Sequence, residues 1–217
     1  MPTPPEPPPL PGASDALREL AARGVARSYA KGRLLIEEGD AGDTLYIVRS
    51  GRLRAFSTSA DGAREITYGT YGAGEYVGEM SLDGGPRSAS VEALERSECI
   101  VVTRATLEAF IAERPAFAFE LLAKVIRRAR AATLSARQMA LNDVYGRLRL
   151  LLQSLATAQG DGGALIAERL THKQIAQRIG CSREMVSRLM KDLERGGHVG
   201  HDPTGRLTMR GPLPPRW

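Results

Sequence analysis

Two stretches of this 217-residue chain carry side chains whose types and spacing could do chemistry. The first is Gly78-Glu79-Met80-Ser81-Leu82-Asp83-Gly84-Gly85-Pro86-Arg87-Ser88-Ala89-Ser90. Its glycines and small residues let a backbone approach a ligand closely. Arg87 and Ser88, with neighbouring backbone N–H groups, can cradle a phosphate, and Glu79 can accept from a sugar hydroxyl. A surface Glu–Arg pair across a glycine-rich loop uses the same residue types. The second stretch is Thr171–Leu193, THKQIAQRIGCSREMVSRLMKDL. Arg183, Glu184, Ser187 and Arg188 fall there at helical spacing, near a helix start. In a major groove, Arg can pair bidentately with guanine and Glu can accept from the cytosine amino group. Lys173, Lys191 and Arg206 suit phosphate contact.

Other chemistry is poorly supplied. The barrel-like first half has no histidine; His172, His198 and His201 all lie in the second half. A haem axial ligand or a jelly-roll metal site is therefore not expected, and two cysteines, Cys99 and Cys181, cannot hold an iron–sulfur cluster. His198-x-x-His201 reads as a pair of solvated histidines rather than a metal pair. No G-x-S-x-G elbow, H-E-x-x-H motif or P-loop occurs, so an enzyme fused to a DNA module is a remote alternative.

Several elements must position these residues. Thr171 and Gln174 form a capping-box pattern, Gly180 suits a left-handed turn, and Ser182 caps a second helix running from Arg183 to about Glu194. Ile175, Ile179, Val186 and Leu189 would share a core, with Ala176 small where the helices cross. This spacing predicts a helix-turn-helix. After Gly196-Gly197, His198–Gly200 and Arg206–Met209 read as a two-stranded wing, and the terminal GPLPPRW as a polar tail. Upstream, Asp15–Ala26 is expected to be a short helix. Short β-rich runs follow (Leu45–Val48, Leu53–Ser57, Glu65–Tyr68, Ala89–Leu94, Cys99–Thr103), separated by glycine-rich turns. They predict a small antiparallel barrel or jelly roll. Pro115 opens a long helix reaching about Leu141. Leu122, Val125, Ala129, Ala132, Ala136 and Met139 recur on it at spacings of three and four, which predicts a parallel homodimer seam. The basic cluster Lys124, Arg127, Arg128, Arg130 reads as a solvated face. Asn142-Asp143 ends the pattern and can cap the next helix, Val144–Ala158. The expected domains are a proline-rich disordered tail (1–14), the barrel (15–114), the long helix (115–142) and the DNA-binding unit (143–217).

Net charge is +5. All of that excess lies in residues 143–217, where basic residues number 12 and acidic residues 7. This is the footprint of phosphate contact. No apolar run approaches the ~20 residues of a membrane helix, and MPTPPEPPPLPG lacks the features of a signal peptide. A cytoplasmic protein with reduced thiols and no membrane partner is expected.

From about Asp15 onward the chain resembles the cyclic-AMP receptor protein family of bacterial transcription factors, also grouped with the fumarate-nitrate regulators. GEMSLDGGPRSAS is similar to the family's phosphate-binding cassette, and IGCSREMVSRLMKDLE to its recognition helix. Asp143-Val144-x-Gly146-Arg147 is similar to its hinge. The resemblance implies an α+β fold: an N-terminal cyclic-nucleotide-binding β-roll, a long dimerisation helix and a C-terminal winged helix-turn-helix. It implies cyclic AMP as allosteric ligand, contacted by Gly78, Glu79, Met80, Arg87, Ser88 and Ala89. It also implies a palindromic TGTGA-like duplex read through Thr171, Lys173, Ser182, Arg183, Glu184, Ser187, Arg188, Lys191 and Arg206, and RNA polymerase as the partner of an activator. Two departures stand out. The loop between Glu79 and Arg87 is shorter than in the best-known members. Counting back from Asp143 also places Ala132 and Thr133 where cyclic-AMP binders carry Thr and Ser against adenine. Ala132 cannot hydrogen-bond a base, which leaves cyclic di-GMP control, or no ligand, as the alternative.

Overall fold

A computed structural model of the chain describes residues 10–159 and 163–216. The first nine residues of the expected disordered tail lie outside that range. Contacts divide the chain into two units, Met1–Ser57 with Tyr68–Ala131, and Thr58–Thr67 with Ala132–Trp217.

In the first unit, the Ser14 side chain accepts from Leu17 N and caps α1 (Asp15–Ala21), whose Leu17, Leu20 and Ala21 are buried. The helix stops short of the expected Ala26 because Val25 already begins β1 (Val25–Tyr29). The strands that follow are β2 (Leu34–Ile36), β3 (Thr44–Ser50), β4 (Leu53–Thr58), β5 (Glu65–Tyr71), β6 (Tyr76–Val77), β7 (Ser90–Ala93) and β8 (Ser97–Thr103). They form two antiparallel sheets, ordered β1-β8-β3-β6 and β2-β7-β4-β5. Side chains alternate across a strand, and β3 and β8 are apolar on both faces. Val48 and Cys99 join Ile36, Leu53, Val77 and Val91 in the core shared by the two sheets. Leu45, Ile47, Ile100 and Val102 face outward against Leu17, Leu20, Leu107, Phe110 and Phe117. That second layer includes α2 (Arg104–Glu113), a helix not anticipated from the sequence, which the Thr103 side chain caps by accepting from Thr106 N. Phe110 meets Phe117, in the first turn of α3 (Ala116–Leu141), edge-on at 5.3 Å. Leu10 and Ala13, in the stretch expected to be a disordered tail, are buried in the same layer.

In the second unit, Asp143 caps α4 (Val144–Leu155) by accepting from Gly146 N. The chain then turns extended, so Ala156–Ala158 is a strand, β9, rather than the helix end expected there. It pairs with β10 (Ala164–Ile166). Next come α5 (His172–Ile179), α6 (Arg183–Arg195), β11 (Val199–His201) and β12 (Leu207–Met209). The four strands form one sheet, ordered β11-β12-β10-β9, so the wing is larger than the predicted hairpin. Leu148, Leu152, Ile166, Ile175, Val186, Met190 and Leu193 make the core. Leu213 is buried in it and Tyr145 donates its hydroxyl to Pro214 O at 2.8 Å, so the expected polar tail is packed down.

Candidate functional site

Between β6 and β7 the chain leaves the sheet at Gly78, whose φ of +97° opens a single 3-10 turn over Glu79–Ser81. Glycine is required there twice over. Its φ suits no ordinary side chain, and a Cβ would lie 2.7 Å from Thr44 O and 2.9 Å from Arg87 Nη1. Opposite, a Cβ at Gly42 would lie 1.9 Å from Arg87 Nε. The two glycines thus clear a slot for one guanidinium. Arg87, 7% exposed, lies in it and donates to Gly78 O (2.9 Å), Ser81 Oγ (2.7 Å) and Thr44 Oγ1 (2.9 Å). Every one of these acceptors is neutral. Burial pushes the Arg87 pKa down, with Tyr46, Asp43 and Asp40 pulling the other way. A buried cation without a bonded anion is costly unless an anion completes it. Ser88 is exposed and Ala89 half-buried beside it.

Glu79, 5% exposed, forms an ion pair through Oε1 with Arg128 of α3. Its Oε2 is buried without a hydrogen-bond partner, so one acceptor remains for an incoming hydroxyl. Arg128 also donates to Tyr76 O (3.1 Å) and lies 4.8 Å from the Tyr71 ring centre. Lys124 donates to the same carbonyl at 2.9 Å. These two residues are therefore packed on the barrel rather than solvated as expected; Arg127 and Arg130 are exposed. The sequence signal was the i, i+4 spacing of Lys124 and Arg128, together with the need of a buried Glu79 for a cation. Arg128, with Gly78, Met80, Ser81, Arg87, Ser88 and others, lines a cavity of about 50 Å³. Ala132 and Thr133 are exposed positions of α3.

The helix-turn-helix has the predicted local chemistry. Thr171 Oγ1 accepts from Gln174 N (3.2 Å) and Gln174 Oε1 accepts from Thr171 N (2.8 Å). Gly180 ends α5 at φ +67°, and Ser182 Oγ accepts from Met185 N. Ile175, Ile179 and Val186 are buried and Leu189 is half-buried against them. Arg183, Glu184, Arg188 and Lys191 are exposed on the face of α6 opposite Val186, Met190 and Leu193. Ser187 is half-buried and bonded to His172 Nδ1 at 2.9 Å, a link between the two helices not foreseen. Thr171, Lys173 and Arg206 are exposed, while Ser182 is half-buried.

Residues 26–114 match the model for the cyclic nucleotide-binding domain, and residues 146–210 the Crp-like helix-turn-helix domain. The CRP-like cAMP-activated global transcriptional regulator of Mycobacterium tuberculosis is 33% identical, covering 79% of this chain and 78% of its own. The cyclic AMP receptor protein of Thermus thermophilus is 36% identical, covering 82% and 80%. The chain belongs to the cyclic-AMP receptor protein family. It is thus a transcription regulator with a cyclic-nucleotide-binding domain and a DNA-binding helix-turn-helix, not an enzyme. Among solved structures, the c-di-GMP-responsive global regulator CLP of Xanthomonas campestris matches with a TM-score of 0.77 at 24% identity. It covers 90% of this chain and 98% of its own, and supports the family fold.

Membership in the cyclic-AMP receptor protein family gives the exposed apolar side of α3 a context. Of the expected seam, Leu122, Ala129, Ala132, Ala136 and Met139 are exposed, whereas Val125 is half-buried. Phe119 is 75% exposed and Ile126 41%, so the apolar stripe also runs through residues outside the predicted seam. Among the described residues no cluster of three or more His, Cys, Asp or Glu could hold a metal ion. No described helix is long and apolar enough to cross a membrane.

Proposed function

We propose that the protein is a homodimeric transcription activator gated by cyclic AMP in the β-roll, reading a palindromic TGTGA-like duplex and contacting RNA polymerase. The observation that carries the ligand reading is Arg87, a buried guanidinium among neutral acceptors. A cyclic phosphate supplies the missing anion, and the fork geometry of arginine suits it. The Glu79 Oε2 left without a partner suits a ribose hydroxyl. Ser88 and the Ala89 backbone complete the phosphate side.

The cavity of about 50 Å³ is far below the ~300 Å³ at which ligand pockets begin. Nucleotide entry therefore requires Arg128 to give way, and Arg128 belongs to α3. Release of the Glu79–Arg128 pair is the step that couples the pocket to the dimer helix. A ligand shifts such an equilibrium only by its differential affinity for the two states; moving it from 1:99 to 99:1 takes about 5.5 kcal/mol. On the DNA side, Arg183, Glu184 and Arg188 read bases, while Lys173, Lys191 and Arg206 meet phosphates. Two recognition helices paired across α3 would reach half-sites about one helical turn, ~34 Å, apart.

Calorimetry with cyclic AMP, cyclic GMP and cyclic di-GMP in parallel tests the ligand. Cyclic AMP should bind wild type and fail to bind Arg87→Ala, with Arg87→Lys only a partial rescue. Because Ala132 carries no hydrogen-bonding side chain, discrimination against cyclic GMP should be modest, and Ala132→Thr should sharpen it. Tight binding of cyclic di-GMP alone would replace the cyclic-AMP reading with the second one.

A further inference from the structure

On the first unit lies a second cavity, about 410 Å³, larger than the one at Arg87. Its lining includes Tyr68, Tyr71 and Tyr76, and three cations of one α3 face: Lys124, Arg127 and Arg128. Lys124 is unusual in its setting. The chain has only four lysines among its 30 basic residues, and Lys31, Lys173 and Lys191 are exposed. Lys124 is half-buried, its Nζ 3.6 Å from the Tyr76 ring centre and bonded to Tyr76 O at 2.9 Å. A lysine ammonium buried against apolar surface becomes a neutral, nucleophilic amine more readily than an arginine can.

We propose that this cavity is an acylation site, in which Lys124 Nζ takes an acyl group from a small acyl phosphate whose phosphoryl end is held by Arg127. The Nζ lone pair attacks the acyl carbon and the acyl C–O bond to phosphorus-bound oxygen breaks. Phosphate leaves with that electron pair and takes the Nζ proton. The amide product keeps one N–H, enough for the bond to Tyr76 O, and removes a cation from beside two others.

Burial pulls the Lys124 pKa down to about 8; Arg127 pulls the same way, while Glu75 and Glu120 oppose it. At pH 7.5 about a quarter of such amines are neutral, against about one in a thousand at an ordinary lysine pKa. Lower basicity weakens the nucleophile in part, as with thiolates of slope ~0.5. The net advantage is roughly tenfold over an exposed lysine.

The test incubates the full-length protein with acetyl phosphate and follows each lysine by peptide mass spectrometry, with Lys31, Lys173 and Lys191 as internal controls. Lys124 should be acetylated about tenfold faster than any of them, with a pH midpoint near 8. Arg127→Gln should slow that reaction severalfold more than it slows acetylation by the uncharged p-nitrophenyl acetate, which senses only the change in the Lys124 neutral fraction. Equal rates at all four lysines would overturn the proposal. So would an acetyl phosphate rate slowed by Arg127→Gln no more than the p-nitrophenyl acetate rate, in protein that retains the wild-type circular dichroism.

Discussion

Removing Arg128 should expose how much the barrel relies on it. In Arg128→Leu, Glu79 stays in place with its side chain 1% exposed and its remaining oxygen already without a partner. Breaking a buried pair by deleting one member costs about 3–5 kcal/mol. Because the Arg128 side chain is itself 22% exposed, about 3 kcal/mol is expected. The loss should depend on pH in a defined sense. Without its cation, the buried Glu79 carboxyl binds its proton more tightly than in the unfolded chain. The folded variant then holds more protons than the unfolded one above the ordinary glutamate pKa, ~4.3, and its deficit grows as pH rises through that window. The double variant Glu79→Met/Arg128→Leu replaces both charges by apolar groups and should recover most of the stability. Hydrogen exchange read by mass spectrometry on β3 and β8 peptides isolates this unit from the other. A single-variant cost below about 1 kcal/mol, or a double variant no more stable than the single one, would refute the pairing and its desolvation.

Other consequences are as specific. Arg188→Ala should cost ~1–3 kcal/mol of DNA affinity and relax preference at one base pair. Lys191→Ala should weaken all sequences alike and flatten the salt slope; a binding-site selection with each variant separates the two. Ile126→Asp or Ala129→Asp should put like charges across the proposed dimer seam and leave monomers in sedimentation, whereas Val125→Asp acts at a half-buried position and should also reduce protomer stability. Lys124→Met should be more stable than wild type at pH 7, since the unfolded chain holds the lysine proton more tightly than the fold does. As pH rises from about 8 to 10.5, wild type should regain up to about 3 kcal/mol relative to that variant in paired urea titrations.

Much of this architecture was legible because local signals agree at single positions. Thr171, Gln174, Gly180 and Ser182 each have one good structural use, and the structure puts them to that use. The pocket loop was legible through Arg87, yet what makes the slot was not. Gly42 and Thr44 lie more than forty residues upstream and meet Arg87 only through sheet pairing. Arg128 was misread for a related reason. On a helix with an arginine at several neighbouring positions, composition cannot tell the one facing the barrel from those facing water. Elements with weak periodicity were missed too, α2 because it follows β8 with no loop, and β9 because the apolar pattern of α4 continues into it. Leu10 and Leu213 show the limit of reading proline-rich ends from composition, since each is a leucine buried in its unit's apolar core.

In the proposed function, a cyclic nucleotide held by Arg87 controls DNA affinity. Fluorescence anisotropy of a labelled palindromic TGTGA-like duplex, titrated with the full-length protein at fixed salt, measures it directly. Saturating cyclic AMP should tighten binding at least about tenfold, ~1.4 kcal/mol of coupling, an effect absent in Arg87→Ala. Identical affinity with and without cyclic AMP, cyclic GMP and cyclic di-GMP would contradict it.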